Sequence, residues 1–228
     1  MSQYDSPELD QSVNVSPGSP LGEFLSLSLW LALGTVLVVL AIYLGARWLA
    51  PLVPFGWEQR MAAPVVQALA EEDHANPLAS CRQQWLQALA QDLRAPMGLP
   101  ADMPITVHWS DSSVPNAFAT LGGHVVIHQG LIDAVKSENA LAMVLAHEMA
   151  HVKHRDPIVG LGGGLVVGLS LSTLMGGSST LAGEASAALS QLHFSRRQEA
   201  AADAAALVAL RQRYGHLSDA DGFFVAMQ

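Results

Sequence analysis

The sequence predicts an α+β fold, mainly α with a small β-sheet, carried behind one N-terminal transmembrane helix. Three features point there. An uncharged run of 23 residues, Phe24 to Ala46, is dominated by Leu, Val and Ile. Three Ala- and Leu-rich stretches, near 78–94, 137–154 and 186–213, have the length and apolar content of helices with a buried face. Between the first two of these, short alternating segments flank Gly122-Gly123, as paired strands do. A chain of 228 residues accommodates one such domain plus the membrane segment.

Residues 1–23 form an acidic tail, rich in Ser, Pro and Asp, that is expected to be disordered. It carries Asp5, Glu8, Asp10 and Glu23 with no Lys or Arg, so it lacks the basic start of a cleaved signal peptide. The anchor over 24–48 is long enough to cross a hydrocarbon core of ~30 Å as a helix, and Trp30, Tyr43 and Trp48 are read as interfacial aromatics near its ends. The expected partner of this segment is membrane lipid. Arg47 and Arg60 follow the span, so the positive-inside rule places the rest of this single-pass chain in the cytoplasm.

Pro51 to Trp57 reads as a proline-broken apolar linker lying in the interface, and the domain proper is expected over 58–228. Arg60–Glu72 and Leu78–Arg94 read as amphipathic helices. In the second, Leu78, Cys81, Trp85, Leu89 and Leu93 are expected to face the core, with Asn76-Pro77 as the start signal. Ile105 to Trp109, Ala117 to Thr120 and His124 to His128 are the strands. The histidines on them, His108, His124 and His128, are assigned structural roles, because strand positions lack the pairing that a helix gives. Cys81 is the sole cysteine and excludes an intrachain disulfide.

The next segment carries chemistry. Ser137 can cap a helix running through an Ala/Leu/Met/Val stretch to Asp156-Pro157, where proline disfavours continuation. Within it lies His147-Glu148-Met149-Ala150-His151, an HExxH motif. Residues four apart share a helix face, so His147 and His151 can hold one zinc ion, with Glu148 placed to take a proton from water. His154 is one turn further and reads as a helix-end cation. A peptidase zinc site needs a third protein ligand. Glu199 is the candidate, in the helix expected from about Ser186 to Arg213 and ending at Tyr214-Gly215. Asp203, one turn on, can accept the N–H of a ligating histidine. Small residues from Ala200 to Ala206 would let this helix approach another closely. The competing reading makes Arg196, Arg197, Glu199 and Asp203 one solvated, salt-bridged face.

His147 to His151, followed by Phe194-Ser-Arg-Arg-Gln-Glu199 with Ala202-Asp203, and preceded by Val114-Pro-Asn-Ala-Phe-Ala119, resembles the zinc metallopeptidase family of the CAAX prenyl protease, HtpX and OMA-type proteases. The resemblance covers roughly Ile105 to Tyr214. It implies a zincin-like domain, one Zn2+ per chain on His147, His151 and Glu199, Glu148 as general base, and Asp203 in support. It also implies that Asn116, Ala117, Phe118 and Ala119 border the substrate cleft, where an edge strand can pair with an extended protein or peptide substrate. Ala201 departs from the family, in which that position is often acidic or polar. The implied function is endopeptidase hydrolysis, plausibly in membrane protein quality control. A catalytically silent adaptor or chaperone on the same fold, or a structural zinc protein, is the alternative. The group that stabilises the oxyanion is open, with His216 the nearby candidate.

Residues 158–182 form a second apolar run, interrupted by seven glycines between Gly160 and Gly177. A single crossing there would part Glu199 from the two histidines, and 158–191 is too short for two crossings and a turn. The run is expected to be a glycine-rich flap or interfacial segment over the site, or else a buried hairpin. A net charge of −9 and the lack of any Lys/Arg run argue against a nucleic-acid partner.

Overall fold

The computed structural model describes residues 19–62, 77–161 and 194–223. The predicted tail up to residue 18, residues 63–72 of the helix expected over Arg60–Glu72, the 162–182 run, the stretch 186–193 and the last five residues lie outside these. The chain divides into two units, Met1–Ala41 and Ile42–Gln228.

Helix α1 spans Pro20–Leu49, four residues longer than the predicted anchor at its start. It is the one helix among the described residues long and apolar enough to cross a membrane, and its most apolar window is entirely unburied. A core helix of a soluble domain would instead be covered. Trp30 sits ten residues from the start of α1, about 15 Å along its axis, and so stands inside the helix rather than at its end.

The mainly α fold with a small sheet is as predicted. Helix α2 (Pro77–Met97) starts at the proline that the sequence marks. Its buried stripe is Leu86, Leu89, Ala90, Leu93 and Met97, whereas Trp85 and Cys81 are exposed. Leu89 and Leu93 are buried as predicted, and the stripe's centre is shifted toward Leu86, Ala90 and Met97 by less than the ~100° of one residue. Trp85 reads as core because it is large and apolar, but Leu86 has the better spacing to Leu89, Ala90 and Leu93.

Three strands follow: β1 (Thr106–Ser110), β2 (Ala117–Ala119) and β3 (His124–His128). The order is β1-β3-β2, with β1 parallel and β2 antiparallel to the central strand. Both outer strands have an unpaired side, and the two are treated differently. On β1 the outward groups belong to Ile105, Val107 and Trp109. Gln87 of α2 donates to the Ile105 carbonyl (2.9 Å) and accepts from Val107 N–H (2.9 Å). One turn earlier, Gln83 accepts from Trp109 N–H (2.8 Å) and donates to the Val107 carbonyl. Two side-chain amides four residues apart thus replace a fourth strand, closing that edge. Among the described residues the outer side of β2 has a single such partner, Glu148 of the next long helix, which accepts from Ala119 N–H.

After the short helix α3 (Gln129–Ala134), helix α4 (Glu138–His154) runs through the core, buried on all sides from Asn139 to Ala146. Ser137 caps it by accepting from Ala140 N–H (3.2 Å). Its stop differs from the prediction. Arg155, at φ 62°, closes the helix in the left-handed region, and the chain is helical again over 156–161. Asp156-Pro157 therefore opens a helix rather than ending one, a position where proline's missing N–H costs nothing. Helix α5 (Arg196–Tyr214) begins at Ser195, which forms a capping box with Gln198, and ends at Gly215 (φ 78°). Its buried face is Ala202, Ala206, Ala209 and Leu210, and these small side chains bring it against α4.

A second, smaller core involves residues 50–62. Ala50 and Ala62 pack with Leu121, Ile158 and Leu161. Glu58, 2% exposed, accepts from Arg155 and from Gly122 N–H (3.2 Å). Gly122 and Gly123 both have positive φ, and a Cβ on Gly122 would lie 2.7 Å from the Gln59 Cα. Only glycine allows that approach. Gln87→Leu is expected to strand a buried N–H and a carbonyl, costing roughly 2–4 kcal/mol in denaturant melts. Gln84→Leu, on the exposed side of the same helix, should change little.

Candidate metal and catalytic centre

The four-residue spacing in α4 and the close approach of α5 bring three side chains to one point. His147 and His151 direct their Nε2 atoms at each other across 3.1 Å. Glu199 of α5 places Oε2 3.3 Å from His147 Nε2 and Oε1 3.8 Å from His151 Nε2. Among the described residues these three form the one group of His, Cys, Asp or Glu with ligand atoms close enough for a single ion. His154 is not part of it. It is exposed at the last turn of the helix, where desolvation lowers its pKa and the neighbouring Asp156 acts against that shift.

The opposite nitrogen of each ring fixes what the facing nitrogen can do. His147 Nδ1 lies 2.8 Å from Asp203 Oδ1, and His151 Nδ1 lies 2.8 Å from Asp156 Oδ2. A carboxylate can only accept, so each Nδ1 carries the proton and each Nε2 carries a lone pair. Two lone pairs and a carboxylate then converge with no proton between them. A cation resolves that arrangement, and the donor set of two imidazoles and one carboxylate suits a divalent transition metal.

Asp203 stands where the sequence suggested. Asp156 is the residue that sequence reasoning missed, having served only as a stop signal. It is 5% exposed, and its second oxygen accepts from Gln198 (2.6 Å), whose own oxygen completes the cap at Ser195. The left-handed turn at Arg155 is what folds Asp156 back onto His151. Phe194, quoted above only within a motif, stacks on the His151 ring at 4.1 Å. The spacing of five from His151 to Asp156 was the available signal, since it allows a carboxylate just past a helix end to return to the last turn.

Glu148 lies beside the pair, essentially buried, with Oε2 accepting the Ala119 N–H at 2.8 Å. Burial pushes its carboxyl up to about 7, and Glu199 adds to the rise, while His151 and the Ala119 N–H oppose it. Of the four residues expected to border the cleft, Ala117, Phe118 and Ala119 form β2, and Asn116 precedes it with its side chain exposed. The Asn116 carbonyl accepts from His128 N–H (3.1 Å), and Thr120 N–H donates to the His124 carbonyl (2.8 Å). Antiparallel alternation therefore turns the backbone groups of Ala117 and Ala119 outward, toward α4. The Phe118 side chain lies edge-on to His128 at 5.9 Å.

The strand histidines lie away from this centre. His108 Nε2 and His124 Nδ1 share a hydrogen bond of 2.9 Å, and burial, then the neighbouring His108, lowers His124 to about 4. His216 follows the far end of α5, roughly 24 Å along the axis from Glu199, where its Nδ1 accepts from Ser218 N–H. That distance removes it as an oxyanion group.

Two outcomes follow. Asp156→Asn and Asp203→Asn should each weaken metal affinity by about 10–100-fold in chelator competition, the buried Asp156 more than the half-exposed Asp203. In metal-free protein, Glu148 keeps its proton to about pH 7 when folded but loses it near 4.5 when unfolded. Its folded-state pKa is raised, so stability drains as pH climbs through that window. The advantage of Glu148→Gln over the parent should grow from near zero below pH 4.5 to roughly 3 kcal/mol above pH 7 in urea melts.

Residues 80–224 match the model of peptidase family M48. An HtpX protease homolog of Acidiphilium cryptum is 35% identical over 145 residues, covering 53% of this chain and 49% of the relative. The mitochondrial metalloendopeptidase OMA1 of Schizosaccharomyces pombe is 31% identical over 101 residues, covering 43% and 30%. The beta-barrel assembly-enhancing protease of Yersinia pestis is 52% identical over 40 residues, covering 18% and 8%. The chain thus spans less than half the length of these curated relatives. With the matched region taking in both the HExxH helix and the helix of Glu199, the chain belongs to peptidase family M48.

Proposed function

We propose that the chain is a membrane-anchored, zinc-dependent endopeptidase that hydrolyses internal peptide bonds of proteins. The convergence of His147 Nε2, His151 Nε2 and Glu199 beside a buried Glu148 is the observation that carries this reading. In it, the first three hold one zinc, Asp203 and Asp156 fix the two imidazoles, and Glu148 is the general base. Two nitrogens and one carboxylate leave room in a tetrahedral shell, the arrangement of catalytic rather than structural zinc.

When bound, the ion supplies Lewis acidity for a scissile carbonyl and acidifies water. The protein supplies the rest. Glu148 spends Oε2 on the Ala119 N–H, which leaves Oε1 to take a proton from the attacking water and return it to the leaving amine. The Ala119 hydrogen bond also favours the carboxylate form, against the burial that favours the acid. An extended substrate is held along β2, whose outward groups at Ala117 and Ala119 face α4. The opposite edge of the sheet is already filled by Gln83 and Gln87. Main-chain pairing of this kind selects extended polypeptide over folded structure and asks little of sequence. An enzyme that takes exposed, unfolded chain near a bilayer fits membrane protein quality control.

The test is cleavage of casein by the detergent-solubilised full chain. Activity should vanish with a chelator and return with zinc, and Glu148→Gln should abolish it with zinc still bound. A folded preparation without stoichiometric metal would overturn the reading. Ala117→Pro should raise KM about tenfold with zinc and kcat retained, the worth of one main-chain hydrogen bond. Ala119 is unsuitable for that substitution, because its N–H serves Glu148.

A further inference from the structure

Residues 49–62 bury a carboxylate while turning large apolar side chains outward. The buried positions are Ala50, Phe55, Glu58 and Ala62, one of them a carboxylate. Apart from Phe55, the large apolar side chains point the other way: Leu52 is 75% exposed, Trp57 58% and Met61 48%. A helix on a water-facing surface shows the reverse pattern. Chance rotation does not account for it, because the inner face is pinned. Glu58 accepts from Arg155 and Gly122, the Arg155 guanidinium donates to the Val53 carbonyl (2.6 Å) and lies over the Phe55 ring, and Gln59 packs on Gly122. Trp57 and Met61 cannot swing inward without breaking that set. The small core beneath is formed by Ala50, Ala62, Leu121, Ile158 and Leu161, without them.

We infer that the outer face of this segment is a lipid-seating surface of the catalytic unit, inserted at headgroup depth. The chain itself supplies the occupant. Leu49 is the last residue of the apolar helix α1, and Trp57 follows it by eight residues, so the two are within about 28 Å however the linker runs. The composition suits the same depth. The Arg60 guanidinium lies 5.3 Å over the Trp57 ring, giving an aromatic body with a cationic rim, a combination that suits the boundary between acyl chains and phosphates. A water-exposed patch of this kind on a soluble domain marks an interaction site, and the nearest tethered surface is the bilayer. This inference rests on α1 lying in a membrane.

The experiment uses the full chain in vesicles of phosphatidylcholine and phosphatidylglycerol, with Cys81→Ser removing the native thiol. An environment-sensitive fluorophore is attached after Leu52→Cys, Met61→Cys, Leu37→Cys within α1, or Gln91→Cys on the exposed side of α2. Brominated lipids should quench the labels at 52 and 61 several-fold more than the label at 91, with blue-shifted emission at both. Quenching at 37 without quenching at 52 and 61 overturns the inference and leaves the anchor reading standing. Quenching at 52 and 61 without 37 removes the anchor and, with it, the premise of the inference, which is then overturned. Disulfide-linked dimers of Met61→Cys with no lipid quenching would assign the face to a second copy and overturn the inference.

Discussion

Two imidazoles that donate hydrogen bonds from Nδ1–H to carboxylates have only their Nε2 lone pairs left to turn toward each other. In this chain they meet across 3.1 Å, with a third acceptor from α5 beside them, and the arrangement is stable only with positive charge at its centre. Much of the fold serves that meeting. Helix α4 must be continuous through His151 to keep both rings on one face, and it must end at once so that Asp156 can return. Helix α5 must be lined with alanine to come near enough for Glu199 and Asp203 to reach. Each requirement is met by a different residue, and none is met by the motif alone.

The sheet contributes through asymmetry. Both outer strands could in principle bind another chain, but Gln83 and Gln87 saturate one and leave the other beside Glu148. The same Ala119 N–H that marks the open edge also stabilises the carboxylate form of Glu148 against burial. Backbone geometry and acid–base chemistry are therefore set by one hydrogen bond.

Much of this was legible in the sequence, for reasons of periodicity. His147, His151, Glu199 and Asp203 fall at spacings of four within helices whose composition announces them, and the sheet is announced by alternation around two glycines. What escaped the sequence depends on contacts between elements or on single backbone angles. The rotation of α2 is set by what Leu86 packs against, and a large apolar Trp85 is a misleading guide to it. The role of Asp156 depends on a left-handed arginine, a conformation that no local preference of arginine predicts. The pairing of Gln83 and Gln87 with β1 joins residues 18 to 26 apart, and glutamines on a helix otherwise read as solvated.

The buried pair of Glu58 and Arg155 sets a limit on how the chain can be trimmed. The matched family region starts at residue 80, which invites a cut just before α2 to obtain a water-soluble fragment. Such a fragment would leave the Arg155 guanidinium, 13% exposed, without its carboxylate, a loss worth roughly 3–5 kcal/mol for a buried ion pair. Arg155 is the residue whose turn delivers Asp156 to His151, so the damage would land next to the His147, His151 and Glu199 cluster. Any shortened version that keeps the centre intact has to begin before Val53, and it would carry the outward-facing tryptophan with it.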